Sequence, residues 1–156
     1  MTLNKAVLLA LVPVLALVFS GCAAPGSKAA SAKKMYEPKM VQHSKGSVFE
    51  ATDKGYYTAE LIPRPKEPVV GKNDADLIIH DYKATDIPGL RIEVTPFMPG
   101  KDVTSPDKPV VEDAGRGLYF IKNLHYTEPG NWSLKITISG PEDDKVVLEL
   151  PEVVKK

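Results

Sequence analysis

Apolar residues recur at every second position in three separate runs, a spacing that confines those stretches to half-buried β-strands. Leu90, Ile92 and Val94 alternate with Arg91, Glu93 and Thr95. Trp132, Leu134, Ile136 and Ile138 alternate with Ser133, Lys135, Thr137 and Ser139, and Val146, Leu148 and Leu150 with Val147 and Glu149. Successive side chains of a strand point to opposite faces, so each run presents one apolar and one polar side. Met98 shares the parity of Leu90, Ile92 and Val94, and is expected to cap the core.

Four further segments are β-prone without such clean alternation. Tyr56–Ile62 is expected to be a strand stopped by Pro63 and Pro65, and Asp76–Tyr82 a second after the turn-rich Val69–Ala75. Val110-Val111 reads as a short edge strand, and Leu118–Tyr126 as a long run entered through Gly115-Arg116-Gly117. Pro129-Gly130 suits the centre of a type II turn, Pro fixing φ and Gly accepting φ > 0. Gly140-Pro141 opens a hairpin loop with Asp143 and Asp144 at its tip. No segment after the N-terminal apolar run shows capped helical periodicity. About seven short strands, spaced by roughly 8–12 residues with turn chemistry between them, predict an all-β, immunoglobulin-like antiparallel β-sandwich. Trp132 is the expected anchor between its sheets.

The composition, 43% hydrophobic and 26% charged, is that of a globular protein and not of a disordered or membrane-embedded one. Twenty basic and twenty acidic side chains cancel and no basic stripe forms, which argues against a nucleic-acid partner. Cys22 is the only cysteine, so no intramolecular disulfide is available and no cysteine cluster can ligate a metal.

The N-terminus carries the sharpest motif. Lys5 precedes an almost unbroken apolar run, Ala6–Phe19, which ends in Phe19-Ser20-Gly21-Cys22. A membrane-spanning helix wants about 20 apolar residues; this run is shorter and holds Pro13. The arrangement resembles a bacterial lipoprotein signal, whose lipobox ends in a cysteine acylated after cleavage, with Phe19 where that family usually has Leu. Ordinary signal-peptidase cleavage near Ala23-Ala24 is the competing reading. The resemblance implies a signal peptide over 1–21, a lipid (palmitate) on Cys22, a flexible tether over 22–46 and a folded domain over 47–156. Ala23 after the cysteine implies the periplasmic face of the outer membrane, in a cell envelope of that type. Residues 23–45 fit a tether, being rich in Ala, Gly, Ser, Lys and Pro without sustained periodicity.

Within the domain, the order of motifs resembles the YtkA-like family of small exported β-sandwiches, related in style to FixH-type proteins. The residues carrying this are Val70-Gly71-Lys72-Asn73, Phe97-Met98-Pro99, Gly115-Arg116-Gly117-Leu118-Tyr119-Phe120 and Pro129-Gly130-Asn131-Trp132. The resemblance implies a link to copper handling in the envelope. Members often carry His or Met just after the Met-Pro, where this chain has Gly100-Lys101-Asp102.

Candidate chemistry is sparse. Met98, His80 and His125 are the residues to test as Cu(I) ligands, since thioether and imidazole suit that ion if they converge. Each also has a structural reading, Met98 as core and the histidines as half-exposed strand residues. Met35, Met40 and His43 lie close in sequence and fit either a weak chelating arm or an incidental tether composition. Asn73-Asp74-Ala75-Asp76 lacks the later ligands of a calcium loop and reads as a turn held by local side-chain hydrogen bonds. No serine sits in a nucleophile turn, and no glycine loop precedes a helix to cradle phosphate. The expectation is a non-catalytic, lipid-anchored envelope module that binds the membrane through its acyl group and works on an envelope protein partner. Copper handling is the alternative.

Overall fold

The computed structural model describes residues 35–155. Cys22 and the lipobox therefore lie outside the described residues. Eight strands form: β1 (Val48–Ala51), β2 (Tyr57–Arg64), β3 (Gly71–Asp81), β4 (Arg91–Phe97), β5 (Val110–Gly115), β6 (Leu118–Tyr126), β7 (Ser133–Ser139) and β8 (Asp144–Glu149). They pair antiparallel throughout, in a five-stranded sheet ordered β1-β2-β3-β6-β5 and a three-stranded sheet ordered β4-β7-β8. The architecture is an all-β sandwich, as the alternation predicts, with eight strands where about seven were expected.

The inner faces carry the core. Leu61, Leu77, Ile79, Ile121 and Leu124 from the large sheet are fully buried, as are Leu134, Ile136, Ile138 and Leu148 from the small one. Burying a side chain of this size contributes roughly 1.5–3 kcal/mol, so these two faces supply the main drive to fold. Trp132, just ahead of β7, is buried with its ring tilted against Tyr126 at 5.2 Å, and its indole N–H donates to the Glu128 carbonyl. Met98 is buried where its parity placed it.

Three segments differ from the sequence expectation, each for a local reason. Pro63 does not stop β2; it pairs opposite Ala75. Beyond Leu61, the last partner of β1, that side of β2 has no neighbouring strand, so the missing N–H breaks no ladder. Pro96 is likewise accommodated, because β4 is the free edge of its sheet. β3 begins at Gly71, ahead of the expected Asp76, so Asn73–Asp76 belong to a strand and not to a turn. The register slips between Asn73 and Ala75. There the Asn73 amide donates to the carbonyls of Val69 and Gly71, and Asp74 accepts the Asn123 N–H. The local hydrogen bonding expected of these residues exists, but inside a bulged ladder. Asp144 is buried at the start of β8 instead of exposed at a hairpin tip.

The β5–β6 hairpin explains its glycines. Gly115 pairs with Leu118, leaving a two-residue loop in which Arg116 and Gly117 both have positive φ, 52° and 73°. A type I′ turn, whose twist matches the flanking strands, demands that sign at both positions. A Cβ on Gly117 would also sit 2.6 Å from the Ile79 carbonyl oxygen, whereas one on Gly100 (φ 76°) would meet nothing within 4 Å. Gly100→Ala is therefore expected to cost about the 1–2 kcal/mol of left-handed backbone. Gly117→Ala should cost clearly more, read as a larger drop in the urea midpoint at unchanged slope. Equal midpoints for the two variants would show that the Ile79 contact is not felt.

Candidate functional site

The polar face of β2 and β3 is not left to solvent. Thr58, Glu60 and His80 alternate with the core residues Ala59, Leu61 and Ile79, so they point to the outer face of the large sheet, yet all three are buried. Their cover is the segment 35–47, which the sequence assigns mostly to the tether. It runs against the sheet through discrete contacts. The N–H groups of Met35 and Tyr36 donate to the Lys54 carbonyl, and that of Lys39 donates to the Tyr82 carbonyl. The Tyr36 ring lies between Tyr56, at 5.1 Å, and Tyr82, at 4.6 Å, and Lys83 stands 5.2 Å over the Tyr82 ring.

Glu60 is the centre of this contact. One carboxylate oxygen accepts the His43 N–H at 2.8 Å and faces His43 Nδ1 at 3.0 Å. The other accepts the Ser44 N–H and the Ser47 hydroxyl, both at 2.7 Å. A fully buried carboxylate is tolerable only when its lone pairs are filled in this way. Burial pushes the Glu60 carboxyl up, but the bonds from Ser47, His43 and Ser44 outweigh it and hold it below the usual carboxylate range.

The same segment brings two imidazoles together. His43 stacks on His80 with ring centroids 4.8 Å apart and planes 20° from parallel. His80 Nε2 lies 3.1 Å from an Asp86 carboxylate oxygen, while its Nδ1 and the Thr58 hydroxyl beside it have no hydrogen-bond partner among the described residues. Each ring thus has one nitrogen held by a carboxylate.

The three residues proposed from sequence as ligands do not converge. His125 lies on β6 opposite Lys72, and His80 is eight positions along β3 from Lys72. At about 3.3 Å per residue the two histidines stand roughly 26 Å apart. His80 is buried rather than half-exposed, whereas His125 keeps the half-exposed setting expected of it. His125 Nδ1 lies 2.8 Å from Asp107, and that contact, with Lys72 3.7 Å from the same oxygen, holds the Asp107 carboxyl below its usual range. Met98 points into the core, where its methyl group crowds the position a Gly130 side chain would take. Among the described residues no group of three or more His, Cys, Asp or Glu is placed to hold a metal ion.

Other polar groups are committed to the fold. The buried Asp144 carboxylate accepts from the Thr52 hydroxyl at 2.6 Å and from the N–H groups of Lys54 and Tyr56. An open groove of about 380 Å³ on the outer face of the large sheet, lined by Phe120 among others, carries the Arg64–Asp76 and Lys122–Glu112 ion pairs.

Sequence reasoning missed Glu60 and Asp86 and did not place His43 against them; it put Asp144 at an exposed hairpin tip rather than beneath the β1–β2 turn. Glu60 occupies a polar position of a strand, which ordinarily faces water, and the only hint of a cover was His43 and two serines ahead of β1. Compared with protein-family models, curated proteins and solved structures, the chain shows no match.

Because Glu60 is held low in the folded chain, its contribution is fully present at neutral pH and is lost as pH falls through that depressed value, below the ordinary 4.5. Protection of the His43 and Ser44 amides should hold down to about pH 5 and collapse in stronger acid. Glu60→Gln should lower it already at neutral pH, by roughly 1.5–3 kcal/mol for the charged hydrogen bonds lost. An unchanged acid limb in the variant would assign it elsewhere.

Proposed function

We propose that this protein is a non-catalytic, lipid-anchored accessory module of a bacterial cell envelope, presenting a β-sandwich to an envelope protein partner. The observation that carries this reading is Phe19-Ser20-Gly21-Cys22 closing a short apolar run ahead of an all-β domain. Acyl chains contribute about 0.8 kcal/mol per buried CH₂, and stable attachment takes more than one chain. A lipobox cysteine bearing several would hold the domain at the membrane throughout its life.

The internal economy of the domain supports a structural role for its acids. Glu60 is taken up by the covering segment, Asp144 by the turn between β1 and β2, and Asp76 by Arg64. Function then resides in surface and position. The side chains offered to a partner include the polar row of the small sheet: Arg91, Glu93 and Thr95 on β4, Lys135 on β7, and Lys145 and Glu149 on β8, all exposed.

The decisive experiment is metabolic labelling with palmitate in a bacterial host. Wild-type chain should take up label and sediment with membranes, while Cys22→Ser should take up none and appear in the soluble fraction. Equal labelling of the two proteins, or soluble wild-type protein, would overturn the proposal.

A further inference from the structure

We infer that residues 35–47 form a releasable latch, pinned by Glu60, that sets how far the domain can travel from its anchor. The covering segment is built differently from everything beneath it. Strand β1, which follows directly, joins β2 through four consecutive register pairs, and Val48 packs against the core. The segment itself has no ladder with the sheet. Between Lys39, bonded to the Tyr82 carbonyl, and Ser47, its hydrogen bonds to the sheet all end on the Glu60 carboxylate. Met35 is 65% and Met40 53% exposed, and the segment's aromatic contact is the Tyr36 ring between Tyr56 and Tyr82. Few buried apolar contacts and a handful of discrete hydrogen bonds mark a segment that opens at far lower cost than the sandwich.

Opening would stop at a defined place. Once His43, Ser44 and Ser47 leave Glu60, the next residues are the β1 ladder, so the chain is freed only as far as Ser47. An extended chain spans at most about 3.5 Å per residue. From Cys22 to Met35 that limit is about 45 Å, and from Cys22 to Val48 about 90 Å. Docking the whole segment, from the Met35 and Tyr36 bonds to the Lys54 carbonyl through to Glu60, therefore halves the radius available to an anchored domain. The reach argument rests on the acylation proposed above; the latch does not.

The test is single-molecule stretching of the chain between handles at its two ends. The expected record is an early, low-force step gaining no more than about 45 Å of contour, followed by rupture of the sandwich at higher force. Glu60→Gln should shorten the early step or lower its force at least twofold, leaving the second event in place. Gly117→Ala, which weakens the β5–β6 turn, should lower the second event and spare the first. Release of segment and sandwich in one event would overturn the latch, as would an early step unaffected by Glu60→Gln. An intact early step in a protein whose Cys22 takes up no palmitate would overturn the anchor and sustain the latch.

Discussion

Two buried carboxylates, one on each side of β2, tie together pieces that hydrophobic burial alone would leave loose. Apolar packing between the inner faces is strong but non-directional. It does not say where the turn between β1 and β2 must sit. Asp144 does, by collecting the Thr52 hydroxyl and the N–H groups of Lys54 and Tyr56 on one side chain at the head of β8. A backbone bond from the Asp53 N–H to the Lys145 carbonyl lies beside it. The large sheet is thereby closed against the small one along this side. Glu60 performs the matching task on the outer face, where it fixes a segment no strand pairing would hold.

The inner half of this architecture was written in the sequence, because alternation is a direct imprint of burial on one face. Leu134, Ile136 and Ile138 in one run, and Val146, Leu148 and Leu150 in another, specify strand, face and register together. The parity of Met98 extended the same logic past Pro96. Turn chemistry was legible where glycine was indispensable, as at Gly115-Arg116-Gly117. β1 was not, since Val48-Phe49-Glu50-Ala51 is too short to display a period.

The outer half was illegible for a physical reason. A pattern of polar residues on a strand says only that the face is not apolar; it does not distinguish water from a hydrogen-bonded polypeptide as the neighbour. Thr58, Glu60 and His80 look solvated by pattern and are buried in fact. Likewise, composition in residues 35–46 signals little intrinsic structure, which is correct locally and silent about tertiary docking. The candidate ligands failed to converge because sequence lists donors without their strand positions. Register places His80 and His125 toward opposite ends of the large sheet.

The chemistry of the cover also bears on its purpose. Had residues 35–47 carried an apolar stripe onto an apolar sheet face, the face would have become a second core and the segment a permanent ninth element. Because hydrogen bonds exchange against water, a contact made through one carboxylate, three backbone bonds and one stacked ring is held far more loosely than a second core would be. The same carboxylate makes the contact selective, because leaving it buried without donors is costly. A segment that is ordered when docked, cheap to lift and joined to a rigid body at a fixed residue behaves as a spacer with two lengths. With the acylation of Cys22 proposed above, that property would decide which partners lie within range.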